Sequence, residues 1–225
     1  MTAPPLEPAP ALERLHQQIL RCRRCLDAGW LTEVEPVLPA PVPAGVVLVG
    51  QAPGRVEGAA GRPFSGRAGR VLFSWLARAG LGGEEEARRR IYITSITKCF
   101  PGPARGGAGD RRPTPAEVEL CRPHLDHQLA LLRPWLVLAV GQMALGRFLG
   151  ARPMDQSVGR VFTAQGEAQP ALGKRQRFPL ILPLPHPSGA SRWLNEEAHR
   201  RLLERGLEML AELLSQEMEA FQAAR

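Results

Sequence analysis

At 225 residues and 44% hydrophobic content, with no apolar run long enough to span a bilayer, the chain is expected to fold as one domain with its own core and no membrane partner. Met1 to Pro10 is rich in Pro and Ala and lacks the basic-then-apolar order of a secretion signal, so a cytoplasmic protein is expected. A net charge of +7 and a pI near 10.2, with Lys98 and Lys174 the only lysines among 29 basic residues, argue for a polyanionic partner that Arg forks can grip; GC-rich coding or growth at high temperature would bias composition the same way.

Four apolar, β-branched runs bounded by Gly or Pro predict buried strands over Val46–Gly50, Ile91–Cys99, Trp135–Gly141 and Pro179–Pro185. Between the first two, Val71, Leu72, Trp75, Leu76 and Ala79 form one apolar face of a helix over Ala68–Ala79. Thr114-Pro115-Ala116-Glu117 predicts a helix start with a Thr cap, Pro in the first turn and Glu returning a bond to the cap; its inner stripe is Val118, Cys121, Leu125 and Leu132. From Asn195 onward, Leu203, Leu207, Leu210 and Leu214 mark an amphipathic helix that covers the sheet. This alternation predicts an α/β fold: a three-layer α/β/α sandwich around a central, mostly parallel four-stranded sheet, with residues 1–20 as an N-terminal extension and 195–225 as the closing helix. Ligands bind such sheets at the carboxyl ends of the strands, where the chain places Gln51-Ala52-Pro53-Gly54, Cys99 with a Gly/Arg loop, and His186-Pro187-Ser188-Gly189.

The four cysteines are Cys22 and Cys25 in a C-x2-C pair, Cys99, and Cys121. Without a secretory context a tetrathiolate site is a better reading than disulfides, and spacing alone serves a [4Fe–4S] cluster and zinc equally, although zinc sites of four thiolates usually show two C-x2-C pairs. Phe64, in a Gly-rich loop, either stacks on a base or joins the core.

Gly50-Gln51-Ala52-Pro53-Gly54-Arg55-Val56-Glu57 and Gly61-Arg62-Pro63-Phe64-Ser65-Gly66-Arg67-Ala68-Gly69 resemble the G-E-A-P-G-x-x-E and G-x-P-F-x-G-x-A-G motifs of the iron–sulfur uracil-DNA glycosylases often called family 4. The four cysteines and His186-Pro187-Ser188 fall where that family has its cluster ligands and its late His motif, so the resemblance runs from about Cys22 to Ser191. It implies a [4Fe–4S] cluster on Cys22, Cys25, Cys99 and Cys121, and an enzyme that flips uracil or another deaminated base from DNA and hydrolyses its glycosidic bond. With no Lys in a recognised motif to form a Schiff base, a monofunctional enzyme is expected, and a monomer. The resemblance further implies that Phe64 stacks on the base, Glu57 supports the first loop, and His186 donates to the 2-oxo group of the leaving uracil.

The departures carry equal weight. Gln51 stands where the family has Glu, and resembles the Gln of the G-Q-D-P loop of other uracil glycosylases, but Ala52 follows where those have a water-activating Asp. No general base is visible there, so either the cation needs little help or Glu57 or another group orients water. Ser95 falls at the base-reading Asn and cannot offer an amide's paired donor and acceptor. His186, Gln51 and Glu57 are thus the expected catalytic residues, and Gly50, Ala52, Phe64 and Ser95 are expected around the base. His186-Pro187-Ser188-Gly189-Ala190-Ser191-Arg192 also resembles the N-P-S-G-L-S-R loop of mismatch-specific uracil and thymine glycosylases, where a side chain plugs the gap left by the flipped base. Ser188, Gly189, Ala190, Ser191 and Arg192 are therefore expected on DNA. The wedge position is the small Ala190, and Arg192 or Trp193 fills the gap unless Trp193 simply anchors the last helix, while Arg105, Arg111 and Arg112 are expected on phosphates. A non-catalytic iron–sulfur nucleic-acid-binding protein on the same fold is the alternative function.

Overall fold

The computed structural model describes residues 8–106, 109–168, 179–188 and 192–223. Four strands form one sheet: β1 (Val46–Gly50), β2 (Tyr92–Ser95), β3 (Leu136–Val140) and β4 (Leu180–Leu184). Their order is β2-β1-β3-β4, and every pairing is parallel, with Leu48 opposite Ile93 and Leu138, and Leu138 opposite Leu182.

Because side chains alternate across a strand, each strand feeds two cores. Val46, Leu48, Ile93, Leu136, Leu138, Val140, Leu182 and Leu184 face one side. There they meet α4 (Arg67–Leu76) through Leu72 and Leu76, α5 (Glu84–Arg90) through Ala87, and the long closing α8 (Glu197–Ala223) through Leu203, Leu207 and Leu210. Val47, Val49, Tyr92, Val137, Ala139 and Ile181 face the other side, against Leu12 of α1 (Pro8–Leu20), Leu125 of α6 (Pro115–Leu132) and Leu145 of α7 (Gln142–Leu149). The short α2 (Arg24–Asp27) and α3 (Arg55–Ala60) complete the helices described. The layered α/β/α arrangement agrees with the sequence, and the sheet is wholly parallel among the described strands.

Three expectations change. The segment read as an extension carries α1, whose Leu12, Leu15 and Ile19 are buried and whose His16 reaches Tyr92 with Nε2 2.6 Å from the hydroxyl. Strand two stops at Ser95, four residues short of Cys99. Beyond it, Lys98 turns its buried ammonium back to Thr94 Oγ1 (2.8 Å) and the Ser95 carbonyl, while the Ser95 hydroxyl donates to the Thr97 carbonyl (2.7 Å). These local bonds take carbonyls that a ladder would need. Helix α4 ends at Leu76 and gives way to a wide turn, Ala77–Leu81, in which Gly80 has φ +87°. The start of α6 is as read: the Thr114 hydroxyl accepts from Glu117 N, and Glu117 Oε2 accepts from Thr114 N at 2.7 Å.

Candidate active site

A cleft opens at the carboxyl ends of β1, β3 and β4, lined among others by Gln51, Ala52, Glu57, Phe64, His186 and Trp193. The loop after β1 enters α3, where the carboxylate of Glu57 accepts from Gly54 N at 2.5 Å and also from the backbone N–H of Phe64. One side chain therefore fastens two loops. Burial, more than anything else, raises the Glu57 pKa; the two backbone bonds oppose that rise and the nearby Asp110 charge adds to it.

Phe64 adopts a left-handed backbone with φ +54°, an uncommon state for a bulky residue. Gly69 makes it possible, since a Cβ there would lie 1.7 Å from the Phe64 carbonyl oxygen. The ring packs on Gly50, where an added Cβ would sit 2.9 Å from its Cζ, and Phe64 as a residue is 9% exposed and belongs to the core while still lining the cleft. The two sequence readings of Phe64 are not exclusive.

His186 follows β4 and rests on Gly141, the glycine between β3 and α7; a Cβ on Gly141 would lie 3.2 Å from its Cδ2. Its Nδ1 is 3.2 Å from the backbone N–H of Ser188 and 2.9 Å from the Ser188 hydroxyl. A backbone N–H can only donate, so Nδ1 accepts and the neutral ring carries its hydrogen on Nε2. Burial first, and then the Arg112 charge, lower the His186 pKa and favour that neutral form. The arrangement offers a fixed, uncharged donor at the edge of the cleft.

Other expected residues are placed differently. Ser95 is buried, is absent from the cleft lining, and spends its hydroxyl on Thr97. Gln51, by contrast, brings to the cleft a side-chain amide with no hydrogen-bond partner among the described residues. Arg111 lines the cleft, but its fork is bidentate to the buried Glu117, with Nη1 to Oε2 at 2.7 Å and Nη2 to Oε1 at 2.6 Å. Burial works against the Glu117 anion, but Arg111 and Thr114 outweigh it and hold the carboxyl below its ordinary value. Arg112 is exposed in the cleft, whereas Arg105 and Arg192 are exposed and lie outside its lining. Gly189, Ala190 and Ser191 fall outside the described residues.

Trp193, in the turn Arg192–Asn195, lines the cleft and stacks on His199 at 4.2 Å with the rings 2° from parallel. The sequence reading missed Asp110, Gln142 and Met154, which also line it. No motif marked them.

A second cavity is lined by Cys22, Cys25, Cys99 and Cys121 together with Lys98, Glu117 and His124. Burial and then the neighbouring thiols push the Cys25 thiol up to about 11 and the Cys99 thiol up to about 12; burial also raises Cys121. The four cysteines thus line a common space in which Cys25, Cys99 and Cys121 are held against ionisation, a donor set that a bound cation would relieve. The His124 Nε2 atom, buried at this wall, has no hydrogen-bond partner among the described residues. Among the described residues no group of three or more His, Cys, Asp or Glu side chains is arranged to hold a metal ion.

Residues 38–208 match the family model described as the Uracil DNA glycosylase superfamily. A type-4 uracil-DNA glycosylase of Pyrobaculum aerophilum is 35% identical over 63% of this chain and 67% of its own length. One from Archaeoglobus fulgidus is 37% identical over 60% of this chain, and the match spans 61% of that protein. One from Sulfurisphaera tokodaii is 27% identical over 90% of this chain and 84% of its own.

Proposed function

The chain belongs to the uracil-DNA glycosylase superfamily, and on that premise we propose that it excises uracil, and other deaminated bases that fit the cleft, from DNA by hydrolysing the N-glycosidic bond to C1′, which in uracil runs from N1. The observation that carries this reading is His186, whose Nδ1 is committed to Ser188 and whose Nε2–H is therefore free to donate. As the bond breaks, its electron pair leaves with the pyrimidine and negative charge gathers on the 2-oxo group. A positioned donor at that atom acts where charge develops, and a neutral one keeps the site poised without first losing a proton.

In this reading the base, flipped from the helix, stacks against the Phe64 ring, and the Gln51 amide meets its polar edge. Glu57 holds both loops in register by its two backbone bonds. Arg112 meets phosphate at the rim, and Trp193 occupies space vacated by the flipped nucleotide. Arg111 serves the fold through Glu117 rather than DNA.

Cys22, Cys25, Cys99 and Cys121 would hold a [4Fe–4S] cluster, a support for the reading being that all four line one cavity. Such a cluster would act as a staple joining α2, the segment after β2, and α6. The test of function is incubation with labelled oligonucleotides carrying uracil, hypoxanthine, xanthine or thymine, followed by alkali. Strand breaks at uracil are expected; tight binding without breaks at any base would instead select the non-catalytic alternative.

A further inference from the structure

Hydrolysis needs a place for a proton of the attacking water, and the loop after β1 offers only Ala52 there. Glu57 is poorly suited, because its carboxylate is engaged by the backbone N–H groups of Gly54 and Phe64. A different carboxylate faces the same loop from another element. Resting on the excision reading above, we infer that Asp110 is the catalytic base of this enzyme.

The placement has a structural cause. After Pro101 the chain folds back on itself: Asp110 bridges Pro103, Ala104 N donates to the Gly109 carbonyl at 2.9 Å, and Arg111 N donates to the Gly102 carbonyl at 3.0 Å. The bidentate grip of Arg111 on Glu117, at the start of α6, fixes the returning arm. Asp110 is thereby carried over the loop after β1, and its Oδ2 lies 2.9 Å from the point where a Cβ on Gly54 would be. Glycine at 54 is what admits it. The carboxylate lines the cleft together with Gln51, Phe64 and His186, and among the described residues it has no hydrogen-bond or ion-pair partner. Its charge is felt by Glu57, whose pKa it helps to raise.

An unpaired anion at the mouth of a cleft that takes a polyanion opposes binding, so its presence calls for another use. The step balances. Water oxygen forms a bond to C1′ as the C1′–N1 bond breaks, the electron pair departs with uracil, one water proton passes to the Asp110 carboxylate, and the other remains on the new sugar hydroxyl. His186 meets the charge on the leaving base at the opposite end of the reaction.

The experiment measures single-turnover uracil release and, separately, affinity for a duplex carrying an uncleavable 2′-fluoro deoxyuridine, using the full chain with its native cofactor content. Asp110→Asn is expected to lower the release rate on the order of 100-fold or more, as loss of a general base does, while affinity stays the same or tightens because one negative charge has gone. Asp110→Glu should recover a measurable part of the rate. Release by Asp110→Asn within about threefold of the parent would overturn the inference, as would a rate loss matched by an equal loss of affinity. Thermal melting of each variant separates unfolding from chemistry. Absence of uracil release by the parent protein itself would instead overturn the excision reading on which the inference stands.

Discussion

The backbone N–H of Ser188 donates to Nδ1 of His186 at 3.2 Å, and this single bond decides which ring nitrogen of the neutral histidine is left as a donor. His186→Ala is expected to cut uracil release by roughly 100-fold or more, the usual cost of one transition-state donor, with little change in substrate affinity. Single-turnover kinetics beside equilibrium binding read the two quantities apart. Equal losses in both would assign His186 to binding alone.

The Phe64 turn depends on Gly69, where a methyl group would overlap the Phe64 carbonyl. Gly69→Ala should therefore destabilise the protein by roughly 1–3 kcal/mol or more, as overpacking does, and should carry cleavage down with it. Phe64→Ala should weaken both affinity and release, because the ring is a platform before and during bond breaking. Urea melts and release assays on the two variants would show whether the turn and the ring act together. A Gly69→Ala protein of unchanged stability would mean that the turn relaxes freely.

Arg111 and Arg112 are neighbours with different duties. Arg111→Ala leaves the buried Glu117 carboxylate without its fork, and is expected to lower stability by about 1–3 kcal/mol, since the pair is only partly exposed. Arg112→Ala should leave stability within about 0.5 kcal/mol and reduce the salt dependence of DNA binding by about one counterion. Melting curves and affinities at several salt concentrations check both. A reversed pattern would exchange the two assignments.

The protein purified anaerobically should be brown and carry about four irons per chain, as four thiolates suit one cubane cluster. Cys→Ala at 22, 25, 99 or 121 should lower iron content and thermal stability more than it alters the rate of the fraction that remains folded. Zinc in place of iron would overturn the cluster assignment.

His16 is buried beside Tyr92, and burial, followed by the Lys98 charge, lowers its pKa to about 4. The unfolded chain takes up this proton near the ordinary 6.5, the folded chain only near 4, so stability is fully present above the unfolded value and falls as pH drops through that interval. The slope for one proton is roughly 1.4 kcal/mol per pH unit. His16→Gln keeps a polar group beside Tyr92 and removes the titration, so its unfolding free energy should vary less steeply across the same interval by about that amount. An unchanged slope would place the acid sensitivity elsewhere.

The sheet was legible because strands buried on both faces must be apolar throughout, and Val46–Gly50 and Leu136–Val140 are. The cap of α6 was legible because Thr114 and Glu117 act within four residues of each other. What lay hidden was non-local. Strand two reads as continuing to Cys99 until Lys98 is known to turn back on Thr94 and Ser95, and the same turn leaves Ser95 out of the cleft lining. Asp110 sits in a Gly/Arg-rich loop whose composition gives no sign of the fold-back that carries it to Gly54. The amphipathic spacing Leu12, Leu15, Ile19 was present in the first twenty residues, but the Pro-rich opening obscured it.

The parallel stack of Trp193 on His199 ties the rim of the cleft to the first turns of α8. His199 Nδ1 lies 2.8 Å from the Trp193 carbonyl, and Arg200 Nη1 donates to the carbonyls of Leu194 and Asn195 at 2.9 and 2.8 Å, so the turn bearing the tryptophan is clamped by the start of the helix. Fraying of that helix start would break the contacts that hold the tryptophan. Amide hydrogen exchange at residues 200–203 therefore serves as a remote gauge of the cleft, slowing when DNA presses Trp193 onto His199 and quickening when the rim lifts.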